Sequence, residues 1–206
     1  MVNRRNYGKQ ETRMKIAIYG GTFNPVTSTH IGIIEMLKDR FDQVVVIPTT
    51  VTWHRKKQDE DEYNFDFIER VAMLREATDN WGNVVVDDME IAYLRDTTRG
   101  FADTLLDVKK KWGNEYTFTT VIGGDSFEML HLWRKHEVIL RESDILVVDR
   151  PGYTSENINI RTNVEHVAYV GDGSATEVRK SLQHLIDVSS VKLVKIYAKN
   201  LREEGA

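Results

Sequence analysis

Lys15-Ile16-Ala17-Ile18-Tyr19-Gly20-Gly21-Thr22-Phe23-Asn24-Pro25-Val26-Thr27-Ser28-Thr29-His30 is the stretch on which the fold turns. A short apolar run reads as a strand and ends in paired glycines. A polar turn follows, and His30 enters what reads as a helix. Strand, glycine turn and helix N-terminus form a phosphate-binding arrangement. Glycines let the backbone approach an anion, and the first free N–H groups of a helix point at it. A His at that mouth can donate to a phosphate oxygen. An ordinary βα turn with a surface His fits the local pattern equally well.

Outward from this stretch, apolar runs alternate with helical patterns. Strands are expected over Met14–Tyr19, Gln43–Ile47, Val84–Val86, Thr117–Ile122, Asp144–Val148 and Val167–Val170. Helices are expected over His30–Lys38, Phe65–Thr78 with Asn64 as cap, Phe101–Trp112 with Asp103 and Thr104 near its start, Ser174–His184 and Val191–Asn200. The alternation implies an α/β, Rossmann-like, doubly wound architecture: a mostly parallel sheet with helices on both faces. Ligands of such sheets bind beyond the carboxyl ends of the strands, near a topological switch point. A second glycine pair, Gly123-Gly124 before Asp125, also follows a strand and belongs at that edge. The runs 56–62 and 151–163 read as surface loops.

The 206 residues suffice for one well-buried domain. Residues 1–13 read as a flexible extension without an apolar signal-peptide core, and 14–206 as a single domain. No run approaches the ~18 apolar residues that span a bilayer. With no cysteine in the chain, disulfides, thiolate metal sites and Cys nucleophiles are excluded, and a cytoplasmic location is expected. A net charge of −4 argues against binding a nucleic-acid polymer. Dinucleotide-fingerprint spacing, a P-loop and a nucleophile elbow are all missing. His131 and His136, five residues apart, are poorly spaced as two metal ligands on one helix.

Three anion-friendly segments should converge at the carboxyl edge. They are Gly20–His30, the cationic run His54-Arg55-Lys56-Lys57, and Gly173-Ser174-Ala175-Thr176-Glu177-Val178-Arg179 at a helix start. A cationic run is usually a solvated face, and Ser-x-Thr before a helix is usually a cap. Together on one edge they suit a triphosphate. Without an activated nucleophile, the natural chemistry is direct transfer between bound phosphate esters, driven by positioning and charge neutralisation.

At these residues the chain resembles the class I nucleotidylyltransferases. Gly20–His30 is similar to their (His/Thr)-x-x-His motif and Gly173–Arg179 to their Ile-Ser-Ser-Thr-x-x-Arg motif. The nearest resemblance is to the pyridine mononucleotide adenylyltransferases. Supporting segments are Glu69-Arg70-Val71-Ala72-Met73-Leu74, Ile122–Phe127 with Trp133, and Asp144–Gly152. The resemblance implies transfer of AMP from ATP to nicotinate or nicotinamide mononucleotide in NAD biosynthesis, with Mg²⁺ on the triphosphate. Another phosphate ester as acceptor, such as phosphopantetheine, and a catalytically weakened nucleotide-binding module are the alternatives.

It also implies roles. Gly20, Gly21, Thr22 and Phe23 would offer backbone to the nucleotides. His30 would stabilise the transferring α-phosphate, with Thr27 where many relatives carry His. Ser174, Thr176 and Arg179 would hold the ATP phosphates, and His54, Arg55 or Lys56 would meet phosphates from the loop side. Gly123 and Asp125 would approach the adenosine ribose, unless Asp125 is a helix cap. Trp133 would stack on the pyridine ring, unless it is a core residue. Arg150 would reach the mononucleotide, unless it is a solvated loop residue. Thr29, Gly173 and Ala175 depart from the pattern. Of the Ser-Tyr-Thr-x-Asp-Thr-Leu run of bacterial relatives only Asp103-Thr104-Leu105 survives, which leaves nicotinate against nicotinamide open. Membrane partners are not expected, and a homo-oligomer stays open.

Overall fold

The computed structural model describes residues 13–50, 65–94, 96, 98–113, 115–149 and 163–169. Six strands run through it: β1 Lys15–Gly21, β2 Gln43–Pro48, β3 Val84–Val86, β4 Thr117–Gly123, β5 Asp144–Asp149 and β6 Val164–Ala168. They form one sheet in the order β3-β2-β1-β4-β5-β6, and every neighbouring pair is parallel. Five α-helices are described: α1 Ser28–Lys38, α2 Phe67–Thr78, α3 Phe101–Trp112, α4 Gly124–Glu128 and α5 His136–Glu142. A 3-10 turn, Met89–Tyr93, follows β3. The strand order reverses direction between β1 and β4, so the switch point lies at the ends of the two strands that carry glycine pairs.

The central strands are buried on both faces, which is why they read as continuous apolar runs rather than alternating ones. Ala17 and Tyr19 of β1 pack with Ile33, Ile34 and Leu37 of α1 and with Val71 and Leu74 of α2. Ile16 and Ile18 face the opposite layer, with Ala102, Leu105 and Val108 of α3 and Ile139 of α5.

Several element ends and caps differ from expectation; β1 runs on through both glycines to Gly21, and α1 starts at Ser28 rather than His30. The α2 helix starts at Phe67, capped by Asp66 rather than by Asn64, which lies outside the described residues. Asp66 accepts from Glu69 N–H at 2.8 Å, and Glu69 accepts from Asp66 N–H at 2.8 Å. That reciprocal pair satisfies two otherwise orphaned donors. At α3 only Asp103 caps, accepting from Gly100 N–H at 3.1 Å, while the Thr104 hydroxyl goes to Glu90 instead. β6 begins at Val164, three residues before the expected start, because Asn163 C=O already accepts from Ile145 N–H at 3.0 Å. The two helices expected within 174–200, most of the loop 151–163 and the run 56–62 lie outside the described residues.

Candidate functional site

Gly20 and Gly21 are the last two residues of β1, paired with Ile47 and Pro48. Each is glycine because an aromatic ring occupies the space of a side chain. A Cβ on Gly20 would lie 2.7 Å from the Phe101 ring, and one on Gly21 3.0 Å from the Phe23 ring. Phe23 itself sits in the left-handed region at φ 50°, a conformation strained for a residue with a side chain. Burial holds it there. Its ring is 1% exposed, with edge-on contacts to Tyr19 at 5.3 Å and His30 at 5.1 Å. Phe23 to Thr27 are buried, whereas Gly20, Gly21, Thr22 and His30 reach the surface in part. The turn is pinned from outside by Phe65, whose N–H donates to Asn24 Oδ1 at 2.9 Å.

Thr27 is the N-cap of α1, and the usual Glu or Gln of a capping box is replaced by His30. The Thr27 side chain accepts from His30 N–H at 3.4 Å. In return Nδ1 of His30 accepts from Thr27 N–H at 3.0 Å and lies 2.9 Å from the Thr27 hydroxyl. A backbone N–H can only donate, so Nδ1 carries no proton in this arrangement. The imidazole proton is therefore on Nε2, as a donor. The box thus caps the helix and sets the tautomer of the ring at its mouth.

Beneath the turn lies Arg70 of α2, 4% exposed. Its Nη1 donates to the carbonyls of Thr22 at 2.5 Å and Thr49 at 3.0 Å. Burial pushes the guanidinium below its ordinary value, with the charges of Asp66 and Glu90 acting the other way. Glu90, on the 3-10 turn, accepts from Thr50 N–H at 2.8 Å and from the Thr104 hydroxyl at 2.9 Å. Neither Arg70 nor Glu90 was picked out as a functional residue from the sequence. The available signal is that Arg70 sits in the buried stripe of α2, between Phe67 and Leu74, where a cation is out of place.

At the neighbouring strand end, Gly123 precedes α4. A Cβ there would lie 2.8 Å from Oδ1 of Asp125. Asp125 is exposed and is not the cap, since the cap position is Gly123 itself. Trp133 is half-buried, edge-on to Phe101 at 5.9 Å, and Phe101 covers Gly20. Its setting is intermediate between core and solvent. Gly20 to His30, Gly123, Asp125 and Trp133 therefore line the carboxyl edge around the switch point. His54, Arg55, Lys56, Arg150, Ser174, Thr176 and Arg179 lie outside the described residues. His131 is exposed, with Nδ1 2.9 Å from Glu128 C=O. Among the described residues no group of three or more His, Asp or Glu could hold a metal ion. No described helix is long and apolar enough to cross a membrane.

A model of the cytidylyltransferase-like family matches residues 18–196. The "Probable nicotinate-nucleotide adenylyltransferase" of Citrifermentans bemidjiense is 31% identical over 173 residues, covering 83% of this chain and 76% of that protein. This chain belongs to the nicotinate-nucleotide adenylyltransferase family. A Geobacter metallireducens relative of the same description is 35% identical over 143 residues, which is 68% of this chain and 62% of that one. The chain aligns with under two thirds of that relative's length. The Plasmodium falciparum nicotinic acid mononucleotide adenylyltransferase complexed with NaAD superposes with a TM-score of 0.71 at 18% identity, over 93% of this chain and 98% of that one. The adenylyltransferase fold is thus shared where sequence similarity has largely faded. The Rossmann-like reading and the resemblance drawn from Gly20–His30 both hold.

Proposed function

We propose that this chain is a cytoplasmic enzyme that transfers the adenylyl group of ATP to nicotinate mononucleotide, releasing pyrophosphate, in NAD biosynthesis. A phosphate oxygen of the mononucleotide forms a bond to the α-phosphorus of ATP, and the bond from that phosphorus to the pyrophosphate oxygen breaks. The observation that carries this reading is the contact of His30 Nδ1 with Thr27 N–H at 3.0 Å, which assigns the ring proton to Nε2, at a helix mouth beside the glycine turn and at the switch point of a parallel sheet.

In this reading His30 donates to the α-phosphate as charge builds on it, and Thr27 holds the ring. The backbone of Gly20, Gly21, Thr22 and Phe23 meets both nucleotides. Gly123 and Asp125 approach the adenosine ribose, and Trp133 faces the pyridine ring. Ser174, Thr176 and Arg179 take the ATP phosphates, while His54, Arg55, Lys56 and Arg150 serve the mononucleotide. ATP would enter as its Mg²⁺ complex, the metal taking few protein ligands and neutralising triphosphate charge. That suits a turn whose own side chains, from Thr22 to His30, include no carboxylate. The whole of 14–206 acts as one domain.

The test is pyrophosphate release from Mg-ATP with a panel of acceptors: nicotinate mononucleotide, nicotinamide mononucleotide, phosphopantetheine and none. Release that depends on nicotinate mononucleotide, at a higher kcat/KM than with the others, is expected. Release with phosphopantetheine alone, or with no acceptor at all, would overturn the assignment.

A further inference from the structure

The parallel ladder between β1 and β2 ends with Thr49 N–H donating to Gly21 C=O at 2.8 Å. Beyond it, among the described residues, the β1–β2 register does not continue. Two charged side chains take up backbone groups there. Nη1 of Arg70 donates one hydrogen to Thr22 C=O and the other to Thr49 C=O, so both N–H bonds of that nitrogen are used. Oε2 of Glu90 accepts from the next amide, Thr50 N–H, and lies 3.3 Å from the Thr50 hydroxyl, while Oε1 holds Thr104 at the start of α3.

This is a poor way to gain stability. Arg70 is 4% exposed, its Nε has no hydrogen-bond partner among the described residues, and Asp66 and Glu90 act on it only through space. A buried cation that holds neutral carbonyls and leaves one donor unpaired is generally no better than a well-packed apolar side chain. Its distinctive effect is geometric. The two coplanar N–H bonds of Nη1, held in the rigid guanidinium, fix two carbonyls relative to each other more tightly than a flexible ammonium can, and an apolar side chain cannot hold them at all.

We infer that Arg70 is a positioning residue for nucleotidyl transfer: it locks the turn that carries Phe23, Thr27 and His30 against the end of β2. The inference rests on the adenylyltransferase reading. Arg70 has no described contact with His30, so its influence reaches that ring through Thr22 C=O and the buried turn. Misplacing a reacting group by ~1 Å from a distant site costs about 10²-fold in rate.

The test uses the full chain with Mg-ATP and nicotinate mononucleotide, each varied. Arg70→Lys, Arg70→Gln and Arg70→Met are compared with the parent well below each variant's own melt, with kcat normalised to folded protein by near-UV circular dichroism. Expected is a fall in kcat of about 10-fold for Lys and about 100-fold for Gln and Met, with both KM values within about threefold of the parent. Partial recovery by Lys marks the carbonyl contacts as the cause. A kcat within twofold of the parent for soluble Gln or Met overturns the inference. If only the Lys variant is soluble, a kcat within twofold of the parent overturns it. An inactive parent would instead strike at the adenylyltransferase reading itself.

Discussion

Nδ1 of His30 lies 3.0 Å from the backbone nitrogen of Thr27 and 2.9 Å from its hydroxyl. The same contact caps α1 and leaves the ring proton on Nε2. The expected outcome in a nitrogen-detected NMR spectrum at neutral pH is an His30 signal pair in which Nδ1 is the unprotonated nitrogen. Thr27→Val, which keeps the backbone donor and removes the hydroxyl, should retain that pattern and lower the stability read from a denaturant melt by the ~1 kcal/mol typical of a lost cap. An Nδ1–H form in the parent would contradict the assigned tautomer.

Gly20→Ala should be costly despite its partial exposure. The added Cβ would meet the Phe101 ring at 2.7 Å, and that ring also packs edge-on against Trp133. Overpacking of this sort costs typically 1–3 kcal/mol. A denaturant melt reads that loss. Gly82→Ala is the control, since nothing lies within 4 Å of its added Cβ.

Trp133→Ala separates a ring that binds substrate from one that fills a core. The half-buried edge-on contact with Phe101 predicts a stability loss below the ~3–5 kcal/mol of a fully buried large-to-small change. The KM for the mononucleotide should rise more than that for ATP, because stacking on an aromatic face is worth ~1–3 kcal/mol per base in nucleic-acid systems. Equal rises in both KM values, with a collapsed melt, would make Trp133 structural.

The strands and the glycine turn were legible because β-branched runs and paired glycines are local signals, and two core-facing layers produce continuous apolar strands. The Thr27–His30 box was half legible. Threonine at the cap is a familiar sign, but its partner three residues on is His rather than Glu or Gln, so the reciprocal contact went unseen. Asn64 reads as a cap because it precedes the apolar stripe, whereas the Asp66–Glu69 pair fits the same stripe with both partners in place. Arg70 could not be placed from the pattern. Its partners Thr22 and Thr49 are 48 and 21 residues away, and only the sheet order brings them together.

Acid should weaken a contact between α3 and α5. Hydrogen bonds from Lys109, and then Arg141, hold the Glu142 carboxyl below its ordinary value of 4.5, against the opposing effect of burial. A carboxyl lowered in the folded state contributes fully above its unfolded value, and that contribution is lost as pH falls through the folded-state value. Lys109 Nζ lies 2.8 Å from Glu142 Oε2. The melting temperatures of the parent and Lys109→Met should therefore differ at pH 7, and the gap should shrink as pH drops below about 4. A gap that stays constant down to about pH 2 would show that this ion pair adds no pH-dependent stability.

The central assignment is that Nε2–H of His30 stabilises the α-phosphate during adenylyl transfer. The most direct measurement is kcat for pyrophosphate release from Mg-ATP and nicotinate mononucleotide by the parent and His30→Ala, with thermal melts of both. Removing one preorganised donor costs about 10²–10³ in rate. The loss of the capping contact should lower the melt by only ~2–4 °C for a chain of this size. A kcat reduced about 10²–10³-fold in a folded variant is the predicted result. A folded His30→Ala protein that turns over at nearly the parent rate would contradict it.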